Sequence, residues 1–408
     1  MGFMRLGNIS NMASCMMDYL LRTAQNFITK SQFCGIQWRV DQYGKAKWSG
    51  ALGQRDIRSG AVLENDTIYR IYSMTKPLVS VLALKLIEEG KIRFDTPLAE
   101  IDPRFSKMRV LDHHGHVTPA SSLITIEQLL THRAGFSYDF TIGCPIAPYY
   151  RDQSIMENGT RDLTDWAGVL SDIPLSYDPG TSWKYSVATD VLAHALECVT
   201  GDMIDTLLTD NIFKPLGMTD TSFYVLENAQ NRVMSIYGQR SLSGLPVLSK
   251  MPHDLTRTAD LGRSYPLDNP NFRRGGSGLY STVADYMNFA NMLRMGTSQS
   301  GEVILSPMML SMLRAVRVSF SQNTFRINDQ AFAGYGWGLS GRVMENIGAA
   351  LYTSTSGELG WGGAAATYFW VDPLNDVTGC VMTQYIGSEH PLGPDMQTAA
   401  MRMLASAG

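Results

Sequence analysis

The sequence is short of the features that mark several large classes of protein. Only 18% of its 408 residues are charged, and they balance to a formal charge of −4. No run of lysine or arginine stands out, so the basic field that a nucleic-acid binder needs is missing and no nucleic-acid partner is expected. No stretch of about 18 consecutive apolar residues occurs, so no membrane-spanning helix is expected either. The first thirty residues include Arg5, Asp18 and Arg22 and lack the uninterrupted apolar core and small-residue cleavage site of an export signal; a cytoplasmic location is the expectation. The five cysteines, Cys15, Cys34, Cys144, Cys198 and Cys380, are scattered and have no C-x-x-C spacing. They read as reduced thiols. Internal repeats and low-complexity tracts are absent, as are the phosphate-loop spacing, E-x-x-H and G-x-S-x-G. No cofactor or metal is expected.

What is present is an ordinary globular composition, 44% hydrophobic, in a chain long enough for one large composite domain or two. The stretch that organises it is Arg70-Ile71-Tyr72-Ser73-Met74-Thr75-Lys76-Pro77, followed by an apolar run to Ile87 and closed by Glu88-Glu89-Gly90. A buried helix is expected over 74–89, because Pro77 is tolerated in a first turn and Gly90 can take the left-handed conformation at the end. Ser73 falls at the helix N-terminus and Lys76 one turn later on the same face. That pairs a nucleophile with a base, at the positive end of a helix dipole that favours an alkoxide. S-x-x-K occurs only here. Taken alone, Ser73 would read as a cap and Lys76 as a solvated first-turn residue.

Taken in order, the chain reads as follows. Residues 9–30 have helical spacing, and 34–41 and 45–52 read as two antiparallel strands joined at Asp41-Gln42-Tyr43-Gly44. Residues 95–122 look like loop, and Asp112-His113-His114-Gly115-His116 within them reads as a polar surface loop without a metal. A helix begins near Thr125, and His132 after it is expected to be a structural histidine bonding loop backbone. In Tyr177-Asp178-Pro179-Gly180-Thr181-Ser182-Trp183-Lys184-Tyr185-Ser186-Val187, a Pro-Gly turn presents Tyr185 just ahead of a helix over 188–200. Asp190 is expected inside that helix, near the tyrosine.

A further helix ends at Phe213-Lys214-Pro215-Leu216-Gly217-Met218, and 246–270 reads as a long loop or flap. Arg273-Arg274-Gly275-Gly276-Ser277-Gly278-Leu279 is a glycine-rich turn, expected for close backbone packing, that leads into a helix over 282–294. Strands are expected over 335–343, 351–354, 364–371 and 377–384, with a closing helix over 396–404. Strands from both chain ends around a mostly helical middle give an α+β fold: an antiparallel sheet domain from 1–94 and 282–408, a mainly helical inserted domain over 95–281, and an active site between them.

Three motifs fall in a telling order: Ser73-x-x-Lys76, then Tyr185-Ser186, then Gly360-Trp361-Gly362-Gly363-Ala364. In this arrangement the sequence resembles the class C β-lactamase superfamily, and within it the family VIII carboxylesterases, which neighbour fungal acyltransferases of the statin type. The resemblance covers about 34–384. It implies a β-lactamase/transpeptidase-like fold, Ser73, Lys76 and Tyr185 as catalytic residues, and the backbone N–H groups of Ser73 and Ala364 as the oxyanion hole. Trp361, Gly362, Gly363, Tyr138 and Asp190 would belong to the substrate pocket, Trp361 walling the acyl side. Loops over 136–165 and 246–272 would shape it.

Two departures matter. Tyr185-Ser186-Val187 has Val where β-lactamases of this class carry Asn, and Trp361-Gly362-Gly363 replaces K-T-G, removing the ammonium that pairs with a substrate carboxylate. A pocket for neutral, apolar acyl esters follows. The expected activity is a serine carboxylesterase acting on short- to medium-chain esters, with weak β-lactam hydrolysis at most. An acyltransferase using the same acyl-enzyme, or a penicillin-recognising protein that acylates and stalls, shares the same catalytic residues.

Overall fold

In the computed structural model, residues 18–112, 114–156, 159, 161–238, 255, 265–320 and 324–407 are described. The first helix, Tyr19–Thr29, is capped by Asp18, whose carboxylate accepts from the Leu21 N–H at 2.9 Å. The part of the expected N-terminal helix before Asp18 lies outside the described residues, as does most of the expected flap over 246–270.

The hairpin follows as the sequence indicates. Strand Gly35–Gln42 pairs antiparallel with Lys45–Asp56, and the turn places Tyr43 and Gly44 at φ 54° and 73°. Two consecutive residues at positive φ give the mirror-image turn whose twist suits a two-residue hairpin. Gly35–Gln42 pairs on its other side with Val377–Met382, so the two ends of the chain meet in the middle of one sheet. The eight strands run in the order Tyr335–Trp337, Arg342–Met344, Leu359–Gly362, Tyr368–Asp372, Val377–Met382, Gly35–Gln42, Lys45–Asp56, Ala61–Val62. Every pairing in it is antiparallel.

Helices cover both faces, and neighbouring residues of one strand show it. Phe369 packs on Tyr286 of helix Val283–Met295, with ring centroids 5.0 Å apart, while Tyr368 donates to Gln397 of helix Leu392–Ala407 at 2.7 Å. Successive side chains of a strand point to opposite faces, so the two helices lie on opposite sides. Helix Tyr19–Thr29 packs beside Leu392–Ala407.

Between the two groups of strands the chain makes its helical excursion. It leaves through Tyr69–Arg70 and returns through Tyr280–Ser281, which pair antiparallel. Helix Ala188–Thr200 is the centre of this part and packs against the nucleophile helix Thr75–Glu88. Among the described residues no helix is long and apolar enough to cross a membrane.

Several sequence expectations need correction. Residues 95–122 are a series of short elements: helix Leu98–Ile101, the 3-10 turn Pro103–Lys107, and strands Arg109–Leu111 and Val117–Pro119. The strand expected over 335–343 is two strands folded back at Gly338, whose N–H donates to the Gly341 carbonyl. No strand forms over 351–354, where Leu351 and Tyr352 are exposed; the strand there is Leu359–Gly362. The turn over 364–367 precedes Tyr368–Asp372, and the last helix starts at Leu392. Helices Leu163–Ser171 and Pro307–Arg314 and the hairpin Phe325–Ile327/Gln330–Phe332 had no counterpart in the sequence reading.

Candidate active site

Between Thr67 and Leu84 Ser73 alone is not buried. Its exposure follows from how the chain enters the helix. After Tyr69–Arg70 the backbone reverses at Tyr72, whose φ of 44° is in the left-handed region, and a 3-10 turn over Tyr72–Met74 runs straight into helix Thr75–Glu88. A bulky residue in that conformation costs about 1–3 kcal/mol. Packing offsets it: the Tyr72 ring lies 4.8 Å from that of Tyr265, Tyr286 donates to the Met74 carbonyl at 2.8 Å, and the Thr75 hydroxyl accepts from Leu279 N–H at 3.1 Å. The serine is thus pushed out of an otherwise buried segment. The helix ends as its sequence foretells, with Gly90 at φ 72°.

Lys76 is 2% exposed, and its amine has three polar neighbours. Nζ lies 3.2 Å from Ser73 Oγ, 2.8 Å from the Tyr138 hydroxyl and 2.6 Å from the Gly276 carbonyl oxygen. Of these three contacts the Ser73 arm is the longest. Nζ also stands 4.7 Å above the centre of the Tyr185 ring. Tyr138, expected only to line a pocket, is therefore a direct partner of the lysine. Burial, with Tyr185 and Asp190 adding to it, holds the Tyr138 phenol well above its usual range, so it stays protonated.

Tyr185 sits just before helix Ala188–Thr200 and is 7% exposed. Trp361 Nε1–H donates to its phenol oxygen at 3.0 Å. Among the described residues the Tyr185 O–H has no acceptor of its own, so its proton is available to a bound molecule. His132, at φ 57°, is 1% exposed and its ring lies 4.8 Å from that of Tyr185. The expectation of a bond to loop backbone is corrected here: His132 Nδ1 is 3.1 Å from Ser186 Oγ, and it is the His132 carbonyl that takes the Tyr177 hydroxyl and the Lys184 N–H. Burial and nearby Lys76 hold the imidazole well below its usual range.

The third motif comes in from the sheet. Trp361 is in strand Leu359–Gly362, and the turn after it is pressed against the nucleophile's own backbone. A Cβ on Gly363 would stand 2.4 Å from the Ile71 carbonyl oxygen and 2.3 Å from Thr367 Oγ1, so only glycine fits. The Gly363 N–H is taken by the Thr367 carbonyl, whereas among the described residues neither the Ser73 nor the Ala364 N–H donates to another protein group. Gly362 is partly exposed beside them.

Asp190, expected to line the pocket, is 3% exposed and lies behind Lys76, where Oδ1 accepts from the Gly276 N–H at 3.1 Å. A cleft of about 350 Å³ opens at Tyr185 and is bounded by Thr141, Ile142, Trp183, Lys184 and the hairpin residues Arg326–Asp329. Aromatic rings back it: Trp183 on Phe325 at 5.2 Å, Phe332 stacked on Trp361 at 5.4 Å, and Trp361 edge-on to Trp337 at 4.7 Å. Asn328 holds the hairpin to the facing loop, accepting from Ile142 N–H and donating to the Phe140 carbonyl, each at 3.1 Å. In the histidine-rich loop the Asp112 carboxylate accepts from the His114 and His116 N–H groups, and no three metal-ligating side chains come together among the described residues.

The family described as Beta-lactamase matches residues 20–397 of this chain. The chain belongs to the beta-lactamase family. Protein Rv1367c of Mycobacterium tuberculosis strain H37Rv is 31% identical over 342 residues, 82% of this chain and 81% of that protein. Esterase EstB of Burkholderia gladioli is 26% identical over 363 residues, 86% of this chain and 87% of that protein. Among solved structures, that of "EstCE1, a hydrolase with promiscuous acyltransferase activity" superposes with a TM-score of 0.78 at 24% identity, covering 93% of this chain and 97% of the other. Membership of this family supports serine-hydrolase chemistry through an acyl-enzyme, and the solved structure supports the fold.

Proposed function

We propose that the protein is a family VIII-type serine carboxylesterase, of EC 3.1.1-type chemistry, that hydrolyses short- to medium-chain acyl esters through an acyl-enzyme on Ser73. One observation carries this reading: Lys76 Nζ lies 3.2 Å from the only unburied residue of its segment, Ser73, in a site where an indole stands in place of the family's third-motif lysine. Without that ammonium a substrate carboxylate has no partner at the third motif itself, which favours a neutral ester over a β-lactam.

The steps follow from the groups in place. Ser73 Oγ attacks the ester carbonyl while its proton passes to Lys76, and the N–H groups of Ser73 and Ala364 take the developing oxyanion. As the tetrahedral intermediate collapses, the C–O bond of the alcohol breaks and Tyr185 gives that oxygen its proton. The resulting phenolate is met by the Trp361 N–H on one side and the Lys76 ammonium over its ring face. Water then attacks the acyl carbon, giving its proton to Tyr185, and Ser73 leaves with the proton returned from Lys76. Each group ends as it began.

Esterase EstB, by its name, supports hydrolysis. Transfer of the acyl group to an alcohol is the second reading, favoured by the aromatic backing of the cleft at Tyr185, which lowers water access to the acyl-enzyme. The test is hydrolysis of a p-nitrophenyl acyl ester series and of a chromogenic cephalosporin by the parent and by Ser73→Ala. Sustained ester turnover lost in Ser73→Ala, with slow or absent cephalosporin cleavage, is the expected result. Turnover surviving in Ser73→Ala overturns the mechanism, and rapid cephalosporin cleavage overturns the ester preference. Ester product in place of acid when an alcohol is added identifies transfer.

A further inference from the structure

Behind the catalytic lysine lies a second layer that the three motifs do not include. Asp190 is in the first turn of helix Ala188–Thr200, which starts just after Tyr185, and Gly276 is in the glycine-rich turn packed against it. The two are joined at the closest approach backbone allows. The Gly276 N–H donates to Asp190 Oδ1 at 3.1 Å, and a Cβ on Gly276 would stand 2.3 Å from Asp190 Oδ2. The neighbouring glycine is equally constrained: a Cβ at Gly275 would meet Ala193 Cβ at 2.5 Å and the Thr189 carbonyl oxygen at 2.7 Å. On the far side of the same residue, the Gly276 carbonyl takes the shortest of the Lys76 hydrogen bonds, 2.6 Å.

A buried carboxyl is costly to ionise, and Arg274 offsets part of that cost. Its guanidinium is 5% exposed, lies 4.4 Å over the Trp166 ring, and donates to the Ile155 carbonyl. Burial holds the Asp190 carboxyl above its usual range, and the charge of Arg274, then that of Lys76, opposes this. Burial keeps solvent from screening these interactions.

We infer that Asp190 is a positioning residue for the acyl transfer proposed above: through the Gly276 peptide it fixes the carbonyl that aims Lys76 Nζ at Ser73 Oγ. It touches neither substrate nor nucleophile. The N–H and the carbonyl of Gly276 belong to successive peptide planes joined at its Cα, and the close packing of Gly275 and Gly276 against Thr189, Asp190 and Ala193 limits how far the two planes can turn, so the N–H held by Asp190 helps set where the carbonyl points. Lys76 swings on four rotatable bonds, and the Gly276 and Tyr138 acceptors together are what leave Ser73 as its third direction.

This inference rests on the Ser73 mechanism, and two substitutions separate them from each other and from mere fold support. Asp190→Asn keeps an acceptor oxygen for the Gly276 N–H and loses the charge; Asp190→Ala loses both. Each removes the carboxyl charge near Arg274, and Asp190→Ala also leaves the buried Gly276 N–H unpaired, so both should melt at lower temperature than the parent, Asp190→Ala the lower of the two. The rates should diverge. Asp190→Asn is expected to keep kcat for p-nitrophenyl acetate within about threefold of the parent, whereas Asp190→Ala is expected to lose about 100-fold in kcat with KM within about twofold, the size of effect that small misplacements of catalytic groups produce. Parental kcat in folded Asp190→Ala overturns the inference, as does an Asp190→Asn variant as slow as Asp190→Ala. Should Asp190→Ala not fold, Gly276→Ala reaches the same link from its other end, and parental kcat there overturns the inference as well. Activity that persists in Ser73→Ala would instead remove the reading on which it rests.

Discussion

Trp361 and Tyr185, 176 positions apart in the chain, meet through one hydrogen bond in which the indole N–H donates to the phenol oxygen at 3.0 Å. In the proposed mechanism that oxygen becomes anionic when the alcohol leaves, so the bond strengthens at the moment it is needed. Hydrogen bonds to charged groups contribute about 1.5–3 kcal/mol, which corresponds to roughly 10- to 150-fold in rate. Trp361→Phe keeps an aromatic ring against Phe332 and Trp337 and removes only the donor. Its kcat for p-nitrophenyl acetate should fall in that range with KM little changed; parental kcat would show that Tyr185 works without it.

Tyr138 anchors the second arm of Lys76 at 2.8 Å. Tyr138→Phe leaves the lysine with Ser73 and the Gly276 carbonyl as its only hydrogen-bond acceptors, so its amine spends less time in the productive direction. A loss of about 10- to 100-fold in kcat is expected, the value of one hydrogen bond to a charged group. The stacked partner Phe140, 4.7 Å away, keeps the new ring in place. Stopped-flow measurement of the acylation burst would locate the defect in the first step; a normal burst rate contradicts it.

Gly363→Ala tests how tightly sheet and nucleophile are joined. The added methyl would fall 2.4 Å from the Ile71 carbonyl oxygen, two residues before Ser73. Overpacking of this kind costs about 1–3 kcal/mol of stability. Because the displaced backbone carries Ser73 and the turn carries Ala364, ester turnover should drop by at least about 100-fold even at temperatures where circular dichroism shows a folded protein. A stable variant with parental turnover would place the oxyanion hole elsewhere.

Asp285 gives a pH dependence to stability that is separate from catalysis. Burial pushes its carboxyl up to about 6 from 3.8, partly opposed by hydrogen bonds from Thr221 and from the Asp220 N–H. An acid with a raised folded-state pKa binds its proton more tightly when folded. Its stabilising contribution is therefore fully present below about pH 4 and is lost as pH rises through about 6, on the order of 3 kcal/mol in all. Asp285→Asn keeps an acceptor for both donors and cannot ionise. Urea unfolding at several pH values should show that the parent loses more stability than Asp285→Asn between pH 4 and 6.5; parallel profiles would refute the assignment.

The parts of the molecule that the sequence made legible are those settled by neighbours along the chain. The nucleophile helix announced itself through an apolar run and Gly90, the first hairpin through Tyr43-Gly44, and helix Ala188–Thr200 through the turn before it. The strand misread over 351–354 failed because Leu351 and Tyr352 are strand-forming types that here face solvent at 67% and 44% exposure. The true strand, Leu359–Gly362, has two glycines in four residues and owes its conformation to the strands on either side. The last helix was read short because Gly393 and Pro394 look like a break. Gly393 is there for packing, since a Cβ would strike the Tyr368 ring at 2.3 Å.

At the site, the motif residues were legible and their mutual bonds were not. Lys76 reaches Ser73 three positions away, but Tyr138 and Gly276 lie 62 and 200 positions away. No local pattern records such distances. Asp190 was singled out for its closeness to Tyr185, and which way its carboxylate turned depended on the crossing glycine turn.

The Asn328 clamp ends on the same short segment that carries Tyr138, since its two partners are Phe140 and Ile142. The doorway of the cleft and the steering of the proton acceptor are thereby built into five consecutive residues. In the proposed ester reaction, an acyl chain large enough to displace the hairpin would also pull on the segment that holds the lysine, so oversized substrates are expected to lose turnover before affinity.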